Sequence, residues 1–113
     1  KKIYKAVTLV NKSLKKNVRN SLVLKTAANC YAALGNYYWS AGMTSKARHA
    51  YEKALAHARR SKFKERIITL LGDLGSVATK EKNWNEAKKI LLEAARKAEI
   101  FYKKALPAAL VRL

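Results

Sequence analysis

The chain has 113 residues, half of them hydrophobic, with one proline, four glycines and one cysteine; 25 Lys and Arg against 7 Asp and Glu give a formal charge of +18. That length suits one domain with a modest core, and so few helix breakers suit an all-α protein. A lone cysteine excludes an internal disulfide and fits a reducing, cytoplasmic compartment, while no apolar run reaches membrane-spanning length and no signal-peptide pattern opens the sequence.

The first predicted helix, Lys1 to Asn17, carries Ile3, Ala6, Val7, Val10 and Leu14 on one face and Lys2, Lys5, Lys12, Lys15 and Lys16 elsewhere. Asn20 or Ser21 is placed to cap the second, Leu22 to Ala41, whose only charge is Lys25, so most of its faces should be covered. Gly42 ends that helix, and Thr44 or Ser45 is expected to cap the third, which runs to Arg60. After a polar junction holding Phe63, the fourth, Glu65 to Glu81, sets Ile67, Ile68, Leu70, Leu71, Leu74 and Val77 beside Gly72 and Gly75. An interior glycine costs about 1 kcal/mol against alanine, so each needs a reason. Asn83 and Glu86 have capping-box spacing before a fifth helix from Trp84 to Lys97 or Lys104, and Pro107 fits the first turn of a sixth.

One motif ties these elements together. Tyr31-Ala-Ala-Leu34-Gly35-Asn-Tyr-Tyr38 is followed, after Gly42-Met43-Thr44, by Ala47, Tyr51, Ala54 and Leu55. Gly35, Ala47 and Ala54 let two antiparallel helices approach closely, and Tyr31, Leu34, Tyr38 and Tyr51 fill the seam. An offset of 40 residues carries Leu34, Gly35, Ala47 and Ala54 onto Leu74, Gly75, Ala87 and Ala94; an offset of 41 carries Ala6 and Val10 onto Ala47 and Tyr51. The pattern resembles the tetratricopeptide repeat (TPR), in the longer variety of kinesin light chains, cell-polarity adaptors and some bacterial and archaeal signalling regulators.

The resemblance implies an all-α, right-handed solenoid of antiparallel helix pairs. Residues 1–20 would be the second helix of an incomplete repeat, 21–61 and 62–104 two repeats, and 105–113 the start of another or a cap. The sequence opens on Lys1 and both ends fall inside the repeat register, so a longer parent protein is expected, with self-association possible through the exposed repeat ends. By the same resemblance Trp84 closes the turn between the helices of its repeat.

Catalytic chemistry has little to rest on. His49 and His57 lie eight residues apart on one helix, about 80° apart in rotation, and do not converge on a metal. No phosphate-binding glycine loop or Ser/His/Asp order occurs, the seven acids are scattered, and Cys30 reads as a small apolar filler. The expectation is a non-enzymatic protein without cofactor.

Two surfaces remain. The resemblance makes the first helix of each repeat line a concave peptide groove, here Asn29, Ala32, Asn36 and Trp39 facing Thr69, Gly72, Asp73, Ser76 and Thr79. Asparagines can hold a peptide amide, and Trp39 either anchors an apolar side chain or packs against a neighbouring repeat. The lysine of chaperone-tail-binding TPRs is replaced by Ala32. The second surface is a basic ridge: Lys15, Lys16 and Arg19; Arg59, Arg60, Lys62, Lys64 and Arg66; Lys103 and Lys104 recur near the repeat period. The leading reading is a protein-interaction scaffold that binds a peptide or protein partner. The alternative is a module for nucleic acid or another polyanion, alone or inside a larger regulatory protein, and a merely solvated basic face is the plain third option.

Overall fold

The computed structural model describes residues 2–16 and 20–105, with side chains as far as residue 103. Five helices and no strand occur among them: α1 (Lys2–Lys16), α2 (Ser21–Ser40), α3 (Thr44–Arg60), α4 (Lys64–Lys80) and α5 (Trp84–Ala105). The sixth helix expected at Pro107 and the unit 105–113 lie outside the described side chains.

Successive helices pack on one another and run antiparallel. Tyr4, near the start of α1, reaches the Tyr38 hydroxyl near the end of α2 at 3.4 Å, and Tyr31 donates to Asn11 Oδ1 at 2.8 Å. Tyr31 stacks on His57 across the α2–α3 seam, where Tyr51 also bonds to Asn36. Helices two apart are therefore parallel: Arg66 of α4 bonds to Asn29 of α2, and Arg48 and Arg59 of α3 bond to Glu86 and Glu93 of α5. The arrangement is repeat-like, with α2 and α4 pointing one way and α1, α3 and α5 the other.

α2 packs on α1 and α3 and more lightly on α4, and it keeps an uncharged exposed side that includes Asn29, Ala33, Asn36 and Trp39. Small residues make the approach possible: Ala27, Ala28, Ala47, Ala54 and Ala58 are fully buried, with Leu70 and Val77 as the largest wholly enclosed side chains. The conserved spacing of the two Leu-Gly pairs has a steric cause. A Cβ on Gly35 would sit 2.5 Å from the Tyr51 ring, and one on Gly75 would overlap the Leu91 side chain. Gly72 is different, with open space where its Cβ would be.

Three three-residue turns join α2 to α5, and they are built alike. Gly42, Lys62 and Lys82, twenty residues apart, adopt left-handed φ values of 78°, 56° and 61°. In each, that residue's N–H bonds to the carbonyl three residues back, and the next N–H bonds five back, as in Phe63 N to Ala58 O at 2.9 Å. This is the Schellman arrangement, which satisfies the last carbonyls of a helix. It also changes the expected caps. Met43, not Thr44 or Ser45, is the N-cap of α3, with no side-chain cap bond; Phe63 does the same for α4. Neither Met43 nor Phe63 has a side-chain oxygen to accept from the next helix, so in these two turns the backbone bonds stand alone.

Elsewhere side chains do cap. Asn20 Oδ1 accepts from Leu22 N at 2.9 Å and Val23 N at 3.2 Å. Asn83 Oδ1 takes Glu86 N at 3.4 Å, but the reciprocal half of a capping box is missing because the Glu86 carboxylate turns to Arg48 at 2.6 Å. Trp84, expected to close its turn, is instead 62% exposed as the first residue of α5.

Candidate functional site

Two surfaces carry organised polar chemistry. The first is the face shared by the parallel helices α2 and α4. Seven residues separate Asn29 from Asn36, two turns of α2, so both point the same way about 10 Å apart. Asn29 Oδ1 accepts from Arg66 Nε at 3.0 Å, and Asn36 Oδ1 accepts from the Tyr51 hydroxyl at 2.6 Å. Arginine only donates, so the Asn29 oxygen must face Arg66. Each asparagine is thus held by its carbonyl, which leaves its amide N–H₂ as the group available on this face.

α4 supplies the complement. The Thr69, Ser76 and Thr79 hydroxyls donate to the carbonyls of Glu65, Gly72 and Gly75, four residues back, at 2.7, 3.2 and 2.8 Å. With their protons turned into the helix, these oxygens present lone pairs outward. The α2 side therefore offers donors and the α4 side acceptors, with the open floor of Gly72 beside them. Trp39 is 37% exposed at the end of α2 and stands outside the core cluster. Ala32, grouped with the asparagines from sequence, is buried, and Ala33 is the exposed alanine there.

Asp73 is half-buried on the same face. Burial raises its pKa, and the positive charge of Arg66 partly opposes that rise. Its charge in turn adds to the effect of burial on the Tyr51 phenol, pushed up to about 12. Tyr51 therefore stays protonated and keeps donating to Asn36 at any ordinary pH. The sequence grouped Arg66 with the ridge, yet its guanidinium bonds into this face. Tyr51 was read only as a core aromatic. Arg66 stands 37 residues from Asn29, near the repeat offset, which was a signal for that pair; none marked Tyr51 as the partner of Asn36.

The second surface is the edge where α1, α3 and α5 end. Lys15, Lys16, Arg59, Arg60, Lys62, Lys64 and Lys103 are exposed there. Arg59 is bound to Glu93 at 3.2 Å, and Lys97 shares that carboxylate at 3.9 Å. Arg19 and the Lys104 side chain lie outside the described residues. At the opposite edge, Arg48 gathers Glu81 and Glu86 by hydrogen bonds, with Glu52 at 3.7 Å; Glu81 first and then Glu86 drive the guanidinium pKa upward against the opposing effect of burial. That Glu81 and Glu86 join Glu52 at Arg48 was not legible in the sequence, because they stand 33 and 38 residues from it.

The remaining reactive groups are quiet. Cys30 is half-buried and burial raises its thiol pKa, away from thiolate character. Among the described residues no three His, Cys, Asp or Glu gather as metal ligands, and no helix is long and apolar enough to cross a membrane. No protein-family model matches the chain, and no curated protein or solved structure is significantly similar to it.

Proposed function

We propose that the chain is a TPR-like solenoid segment whose α2/α4 face is a concave groove for an extended peptide from a protein partner, and that it acts by binding rather than by catalysis. The observation that carries this reading is the pair of asparagines held by their oxygens from within the fold, at 3.0 Å by Arg66 and 2.6 Å by Tyr51. An extended peptide turns carbonyls and N–H groups to opposite sides alternately and advances about 3.3 Å per residue. The amide donors on α2 suit carbonyls on one side of such a peptide, and the acceptor row of Thr69 and Ser76 suits the N–H groups. Because internal bonds already fix the side chains, little rotamer entropy remains to be lost on binding. Gly72 lets the peptide backbone approach, and Trp39 is the apolar anchor at one end.

The test separates the donor from the fold. Asn29→Asp with Asn36→Asp keeps an acceptor for Arg66 and Tyr51 but removes both outward N–H₂ groups. Peptides selected against the wild-type chain from a displayed random library are expected to lose at least about tenfold in affinity, about 1.4 kcal/mol, with helicity unchanged. Equal binding by the double variant would overturn the groove reading.

A further inference from the structure

The cations of this chain are concentrated where its odd-numbered helices end. Since neighbours run antiparallel, the last turns of α1, α3 and α5 share an edge with the first turn of α4. Lys15 and Lys16 close α1, Arg59 and Arg60 close α3, and Lys103 stands near the end of α5. Between α3 and α4, Lys62 forms the tip of the turn and Lys64 opens the next helix. The acids nearest this edge are Glu65, Glu93 and Glu99, and Glu93 is engaged by Arg59 and Lys97. Glu52, Glu81 and Glu86 are drawn to Arg48 at the other edge.

Helix dipoles favour a cation in a last turn, which accounts for Lys15, Lys16, Arg59 and Arg60. They do not account for Lys64, in the first turn of α4, where a positive charge is disfavoured. Nor do they account for Lys62, which holds a left-handed conformation that glycine adopts more readily, as Gly42 does in the equivalent turn. Lys82 holds the same conformation in the turn at the other edge, with Glu81 beside it, whereas Arg59, Arg60, Lys62 and Lys64 around the α3–α4 turn have Glu65 alone beside them in sequence.

We propose that this edge binds the phosphate backbone of a nucleic-acid duplex. The cations stand on helix ends and in a tight turn, so the fold holds them in place, as a mobile tail would not. Around the α3–α4 turn the exposed groups are Arg59, Arg60, Lys62, Lys64 and Glu65, without the apolar anchor that a protein partner needs. Phe63 is half-buried, with the Lys25 ammonium 5.5 Å over its ring, so it is no platform for an unpaired base. Around this turn, charge without stacking or base-edge groups fits contacts to phosphate, which a duplex presents outward, and gives no base-specific reading; Tyr102, beside Lys103 on α5, is an exposed aromatic. Such a polyanion also relieves the self-repulsion of a chain at +18.

The whole chain titrated into a short fluorescent DNA duplex tests this by anisotropy over a salt series. About six phosphates neutralised gives a log–log slope near −5. Lys62→Glu with Lys64→Glu is expected to weaken binding at least tenfold at about 0.1 M salt and to flatten the slope by about 2. Lys80→Glu with Lys88→Glu changes the net charge equally at the opposite edge and is expected to do much less. Circular dichroism confirms that both variants fold. Equal losses in the two pairs, negligible binding near physiological salt, or equally tight and equally Lys62/Lys64-dependent binding of polyglutamate or anionic vesicles would each overturn the proposal. Neither pair touches the asparagine face, so this result and the peptide experiment stand apart.

Discussion

His57 sits half-buried against Tyr31, rings 5.7 Å apart and stacked, with its Nδ1 enclosed and without a hydrogen-bond partner. Burial first, then the charges of Arg60 and Lys53, lower its pKa below the usual 6.5. A base whose folded pKa is depressed supports the fold only while neutral. Its contribution is therefore complete above pH 6.5 and is lost as pH falls through that value towards the folded pKa. His57→Phe keeps the stack and has no proton to accept, so urea midpoints measured from pH 7.5 to 5 should fall for the wild type and flatten for the variant. The glycines separate at this scale too. Gly35→Ala drives a methyl into a buried Tyr51 ring held through its hydroxyl, and a loss of about 1–3 kcal/mol is expected. Gly72→Ala meets nothing and should gain about 1 kcal/mol from helix propensity, while narrowing the floor beside the asparagines and weakening peptide binding.

Helices here are set as much by their ends as by their faces. Lys62 and Lys82 occupy a conformation that costs an L-residue about 1–2 kcal/mol, and Gly42 shows that the same turn accepts glycine. Lys62→Gly and Lys82→Gly should each stabilise the fold by about 0.5–1 kcal/mol, after the greater flexibility of glycine in the unfolded chain is subtracted. A rise in urea midpoint at unchanged m would establish this, and a fall would show that the lysine side chains make contacts that matter. The apolar spacing and Gly42 placed α2, α3 and α4 to within a residue at each end. The N-caps of α3 and α4 were not legible, since Thr44 and Ser45 look like caps and the backbone turn that displaces them has no side-chain signature. The Asn83 and Glu86 pair misled for a related reason, since a carboxylate positioned for a local bond was taken by Arg48 from another helix.

Over the whole molecule, the 40-residue offset reflects two helices and two like turns, so Leu34-Gly35 and Leu74-Gly75 meet Tyr51 and Leu91 in matching ways. The last described helix leaves Leu91, Leu92, Ile100 and Tyr102 between 43% and 60% exposed, whereas Tyr51, the counterpart of Leu91 one repeat earlier, is 2% exposed beneath α4. Sequence alone determined the helices, the glycine seams and the excess of cations, because these follow from periodicity, residue size and charge, which are local or additive. Only the tertiary structure decided that Arg66 and Tyr51 fix two asparagines and that Arg48 gathers its carboxylates. It also decided that the basic helix ends share an edge. Hydrogen bonds between groups on different helices, 15 to 38 residues apart, depend on the relative direction and register of packed helices, and no single stretch of chain carries that information.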